Sequence, residues 1–164
     1  MTLYWAANGP MPTTAAFSPV TTGTSLKTML QIATPSTRGI KVVEWGISFS
    51  GFADAARIKC ELIDTNGAAT VTAHVAAGVQ PYNDPSAPAS LMTLGTTATG
   101  YTSSGEGSIT STRYGDAQQV SPADKWWRQW PLGREFAVGP SRFLRVRVHA
   151  PAAVDAYTYV VWEE

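Results

Sequence analysis

The chain has 164 residues, 44% of them apolar and only 15% charged, with twelve basic and twelve acidic side chains in balance. That length suits one domain with a sizeable core. Zero net charge gives no general field to attract nucleic acid or an anionic membrane, and no apolar run approaches the roughly 20 residues that span a bilayer. The charged fraction is well below the usual quarter, so Thr, Ser, Ala and Gly, or partners, must cover the surface.

The chain opens with MTLYWAANGPMPTT, which lacks a basic start ahead of an apolar core and does not read as a secretory signal. Synthesis and folding in a cytoplasm are expected. Residues 1–23 carry Tyr4, Trp5 and Phe17 among Asn, Thr and three prolines, which exclude a helix. Disordered tails are poor in aromatics, so this segment reads as an extended arm packed on its own domain or on a neighbour. Residues 24–164 read as one β-domain.

SLKTMLQIA, residues 25–33, ends before Pro35 and is short enough to favour a strand over a helix. GIKVVEWGISFSG, residues 39–51, is the strongest strand. Val43, Trp45, Ile47 and Phe49 fall on one side, and Glu44, Gly46, Ser48 and Ser50 on the other. ARIKCELI, residues 56–63, places Ile58, Cys60 and Leu62 inward, and the following Asn66-Gly67 predicts a hairpin into residues 69–76, where the alanines make a helical turn the alternative. The proline-rich residues 78–90 form a long loop. Residues 91–94 form a short strand, and 95–107 a loop. Residues 108–120 form a weakly apolar strand or strand pair near an edge.

KWWRQWPL, residues 125–132, puts Trp126, Arg128 and Trp130 on one face and Trp127 on the other. RFLRVRVH, residues 142–149, buries Leu144, Val146 and Val148 and turns Phe143, Arg145, Arg147 and His149 outward. AYTYVVW, residues 156–162, closes the chain. Eight to ten short strands, with early and late segments both strong, predict an all-β, jelly-roll-like antiparallel β-sandwich with an extended N-terminal arm.

Chemistry is sparse along the chain. Cys60 is the sole cysteine and sits where a buried, inert thiol is expected. His74 and His149 are far apart and read as solvent-facing, with no spacing for a zinc site of about four ligands. Asp54, Asp64, Asp84, Glu106, Asp116 and Asp124 fall mostly at turns, where Asp serves the backbone. No nucleophile elbow, phosphate loop or metalloprotease motif occurs. No catalytic, metal or cofactor residue is assigned, and the expectation is a non-enzyme. Trp126, Trp127 and Trp130, with Arg128, cannot all point inward from one strand, so at least one indole is expected at the surface. Trp and Arg anchor protein interfaces. The same rings could fill a wide core mouth or stack on sugars. The candidate interface is therefore Tyr4, Trp5, Phe17, Trp126, Trp127, Arg128 and Trp130.

SLKTMLQIATPSTRGIKVVEWGISFSG, AHVAAGVQPYNDP, TLGTTATGY and QWPLGREFAVGPSRFLRVRVHAPAAVDAYTYVVWEE together resemble small structural proteins of tailed phages of actinobacteria. The resemblance runs over nearly the whole chain after the arm. It implies a virion protein, of the capsid decoration (cement) kind, on the outer surface of the head. It implies a jelly-roll fold and a homotrimer that bridges subunits of the major capsid protein, with no active-site residues. A tail-associated or carbohydrate-binding adhesion module is the rival expectation.

Overall fold

The structure is a computed structural model that describes residues 1–50 and 56–164. Gly51, at the end of the strongest predicted strand, and Asp54 lie outside the described residues. The strands are β1 (Leu3–Ala7), β2 (Val20–Thr21), β3 (Lys27–Ala33), β4 (Ile40–Ser50), β5 (Ile58–Thr65), β6 (Thr70–Ala73), β7 (Gln80–Pro81), β8 (Gly100–Gly105), β9 (Thr112–Val120), β10 (Lys125–Gln129), β11 (Phe136–Val138), β12 (Phe143–His149) and β13 (Asp155–Glu163). A single turn of 3₁₀ helix, Ala76–Gly78, is the only helical element among the described residues.

Two antiparallel sheets pack face to face as a β-sandwich, as one apolar sheet face requires another to cover it. The first sheet runs β10-β4-β13-β1-β7, with β11 also on β4 and β2 also on β13; the second runs β6-β8-β3-β12-β5-β9. The centre of each sheet joins early chain to late: β4 to β13, and β12 between β3 and β5. Between the sheets lie Ile40, Val42, Trp45, Ile47, Val160 and Trp162 from one side. Leu30, Ile32, Ile58, Leu62, Leu144, Val146 and Val148 come from the other. Trp45 and Trp162 are fully buried. Truncation of either to Ala is expected to cost about 3–5 kcal/mol.

Alternation along β4 breaks once. The register against β13 passes from Glu44 to Val42 and leaves Val43 as the extra residue of a bulge. Ile40 and Val42 therefore face inward ahead of it, Trp45 and Ile47 after it, and Val43 is only half-buried. A bulge reverses which parity faces the core, which is why the inward position expected for Val43 does not hold.

The predicted hairpin at Asn66-Gly67 does not form. β5 pairs with β9 and β12, and β6 pairs with β8. Asn66 instead bonds forward to the approach to β9, donating to Thr110 Oγ1 at 2.7 Å and accepting from the Ser111 N–H at 3.1 Å. A methyl on Gly67 would lie 2.1 Å from Ser108 O, so glycine lets the two segments touch. The expected loop 95–107 contains β8, while residues 91–94 make only the isolated bridges Thr93–Ala33 and Leu94–Thr99. β9 is an edge strand, as predicted.

Residues 1–23 are not one arm. β1 is a sheet strand between β13 and β7, with Tyr4 2% exposed. Asn8 is clamped to β13: its N–H donates to Thr158 O and its side chain to Ala156 O. β2 returns to β13 at Asp155 and Ala156. Between Asn8 and β2, residues 9–19 form a strap tied at both ends. No hydrogen bond joins the strap to the rest of the described residues.

Candidate interaction surface

The tryptophan strand divides its aromatic residues by alternation. β10 pairs with β4 with Trp126 opposite Ile47, Trp127 opposite Gly46 and Arg128 opposite Trp45. Trp126 is half-buried and Trp130 is 9% exposed, at the margin of the core. Both belong to a structural cluster centred on Asp116. The indole N–H groups of Trp45 and Trp126 donate to Asp116 Oδ2 at 3.1 and 2.9 Å, and Arg128 donates to Oδ1 at 3.2 Å. Arg128 also lies over the Trp130 ring at 5.2 Å. Trp126, Arg128 and Trp130 are thus engaged inside the chain. Trp127 is the cluster's presented ring, at 57% exposure.

The other candidates separate in the same way. Tyr4 is core: its ring stacks on Trp162 at 6.3 Å and its hydroxyl donates to Pro88 O. It offers no surface for an interface. Trp5 is half-buried on the outer face of the first sheet. Phe17, at 67% exposure, leans on Tyr157 at 4.8 Å from the strap. Strap and sheet border a hollow of about 220 Å³ between Trp5, Phe17 and Tyr157.

Sequence reasoning missed the rings that share Trp127's face. Tyr159 pairs with Gly46 across β13 and β4, so Trp127, Gly46 and Tyr159 form one row across three strands. The Tyr159 ring lies against Gly46, where an added methyl would fall 2.6 Å from its Cε1. Its hydroxyl donates to Glu44 Oε1 at 2.5 Å. Burial first, then the bond to Glu44 and that carboxylate's charge, push the phenol pKa far up. Tyr157 stands two residues along, opposite Ser48. The signal was present in AYTYVVW, whose two tyrosines alternate with the inward Ala156, Thr158 and Val160.

Other polar groups expected outside are consumed within the fold. Arg145 is fully buried, although its parity turns it away from the core. It donates to Thr28 Oγ1 at 2.6 Å and Gly67 O at 3.1 Å and pairs with Glu106. Glu106 is therefore not a free loop tip. Asp64, buried near the end of β5 rather than in a turn, receives Arg113 and Arg142 at 2.7 Å each. His74 is buried, not solvent-facing, with Nε2 2.9 Å from Ala7 O and its ring tilted on Tyr101. His149 is exposed. Cys60 is buried, and burial pushes its thiol up to about 12, so it stays protonated and inert. Among the described residues, no three His, Cys, Asp or Glu side chains gather as metal ligands.

No protein-family model, curated protein or solved structure matches this chain.

Proposed function

We propose that the chain is a non-enzymatic structural protein of a tailed-phage virion, a capsid decoration protein with a jelly-roll sandwich. It oligomerises, as a trimer, and braces the major capsid protein on the head's outer surface. One observation carries the reading. The rigid sandwich leaves large apolar side chains uncovered on several separate elements: Phe17 on the strap, Tyr114 on the edge strand β9, Trp127 on β10 and Leu132, 83% exposed, on the turn after it. Isolated surface apolar residues are ordinary, but aromatic rings on several sides suit a subunit that meets more than one neighbour. Large buried charges already matched inside the fold leave the low-charge exterior free for such contacts. A closed ring of heterologous contacts would cover these side chains without open-ended growth.

The test is light scattering on the purified chain together with co-sedimentation on phage heads stripped of decoration protein. A mass three times 17.5 kDa and saturable binding to heads are expected. A strict monomer that stays in the supernatant would overturn the proposal.

A further inference from the structure

From the row that holds Trp127 and Tyr159 we infer a saccharide-binding site on the outer face of the first sheet, for one pyranose residue of a glycan. Its floor is preorganised. Gly46 leaves room for the Tyr159 ring to lie against the backbone, and the bond to Glu44 fixes the ring's rotation. Gly46 against its edge and Glu44 at its hydroxyl thus hold the Tyr159 ring in place, with Trp127 beside it across one strand. A hollow of about 260 Å³ adjoins both rings and is also lined by Tyr157, Ser48 and Lys125.

The polar complement selects the ligand class. Glu44 lies outside the hollow, where it holds the Tyr159 hydroxyl. The hollow's own polar groups are the Lys125 ammonium, the Ser48 hydroxyl and the Trp127 indole N–H, which make no hydrogen bond among the described residues. An apolar side chain from another protein would cover the rings but strand these groups without water, which is costly. A pyranose matches both halves: its C–H face lies on the rings, and its hydroxyls meet the Lys125 ammonium and the Ser48 hydroxyl. The site shares Trp127 with the apolar surface offered to neighbours, so it is open only where copies leave that ring uncovered.

Saturation-transfer NMR on the full chain tests it. The probes are the methyl β-glycosides of glucose, galactose, mannose and N-acetylglucosamine, with that of glucuronate as an anionic member of the set. Transfer to the C–H protons of one ring face is expected for at least one of them. Trp127→Ala should weaken it about tenfold, the order of one stacked ring. Trp127 is exposed, so that variant should keep its melting temperature. Gly46→Ala provides a second arm: it keeps every polar group but displaces the Tyr159 ring, and should lower binding as well. Absence of transfer from all five glycosides, or transfer undiminished in both variants, would each overturn the inference. The second outcome would point to contact elsewhere.

Discussion

Asp116 is where the cluster of indoles acquires its geometry. Its carboxylate, 5% exposed as a residue, accepts from Trp45, Trp126, Arg128 and the Gln118 side chain. Asp116→Ala leaves two indole N–H groups without acceptors, one of them fully buried. Each such orphan costs about 1–3 kcal/mol, so a loss of about 3 kcal/mol is expected, read from urea denaturation followed by tryptophan fluorescence. Asp116→Asn, which keeps one acceptor oxygen, should lose about half of that. A change below about 0.5 kcal/mol for the Ala variant would show that these bonds merely replace ones to water. Gly46→Ala acts on the opposite face. Its methyl must displace the Tyr159 ring, at about 1–3 kcal/mol for an overpacked contact, and the near-ultraviolet circular dichroism of the tyrosines should change. Neither residue advertises its role along the chain. Trp45 and Asp116 are 71 positions apart, and Arg145 and Thr28 are 117 apart. Alternation reports which way a side chain points, not which charge arrives above it. That is why Arg145, outward by parity, was read as solvated and is instead sealed under Glu106.

Elements are held to one another by two groups that titrate in opposite chemical senses but weaken together in acid. His74, after β6, reaches Ala7 at the end of β1 and so joins the two sheets. Burial holds its pKa below the ordinary value, despite the bond to Ala7. The folded state thus binds a proton less readily than the unfolded chain, and stability falls as pH drops below about 6.5. Glu106, just after β8, gathers β3 and β12 through Thr28 and Arg145. Burial raises its pKa, but Ser103, Thr28 and Arg145 outweigh that and hold it below the usual range. Its contribution is complete above the unfolded-chain value of about 4.3 and is lost as pH falls below it. Denaturant titrations across pH should therefore show two acid limbs. His74→Phe should abolish the upper limb alone, and Glu106→Gln the lower alone; a single limb unaffected by either variant would contradict this. Strand identity at this scale was legible where pattern and packing agree, as in β4, β5, β12 and β13. It failed where a strand's sequence is Thr, Ser and Gly, as in β8, because such a strand gains its place from neighbours rather than from apolar alternation. Pairing failed at Asn66, whose side chain bonds across to β9 instead of closing a tight turn.

At the scale of the molecule, the readable part was two layers, and the unreadable part was where the N-terminus goes. Tyr4 and Trp5 read as an arm because prolines follow them, yet β1 completes the first sheet and residues 9–19 stand clear of it. The strap's hold on the body is the contact of Phe17 with Tyr157 and the apolar lining around it. Such a segment opens at low free energy compared with the sandwich, while its anchors at Asn8 and β2 keep it in place. If copies of the chain associate through the rings they expose, association stabilises the folded state by mass action, and the melting temperature must rise with protein concentration. For a chain of this length, each kcal/mol so gained raises the midpoint by about 2–4 °C. Phe17→Glu and Leu132→Glu place charges where a partner would have to desolvate them, without touching the core. Each should lower the midpoint at high concentration, and both together should make it independent of concentration. Unchanged midpoints across a hundredfold dilution of the unaltered chain would show instead that a single copy is complete by itself, with its exposed rings left to ligands rather than to siblings.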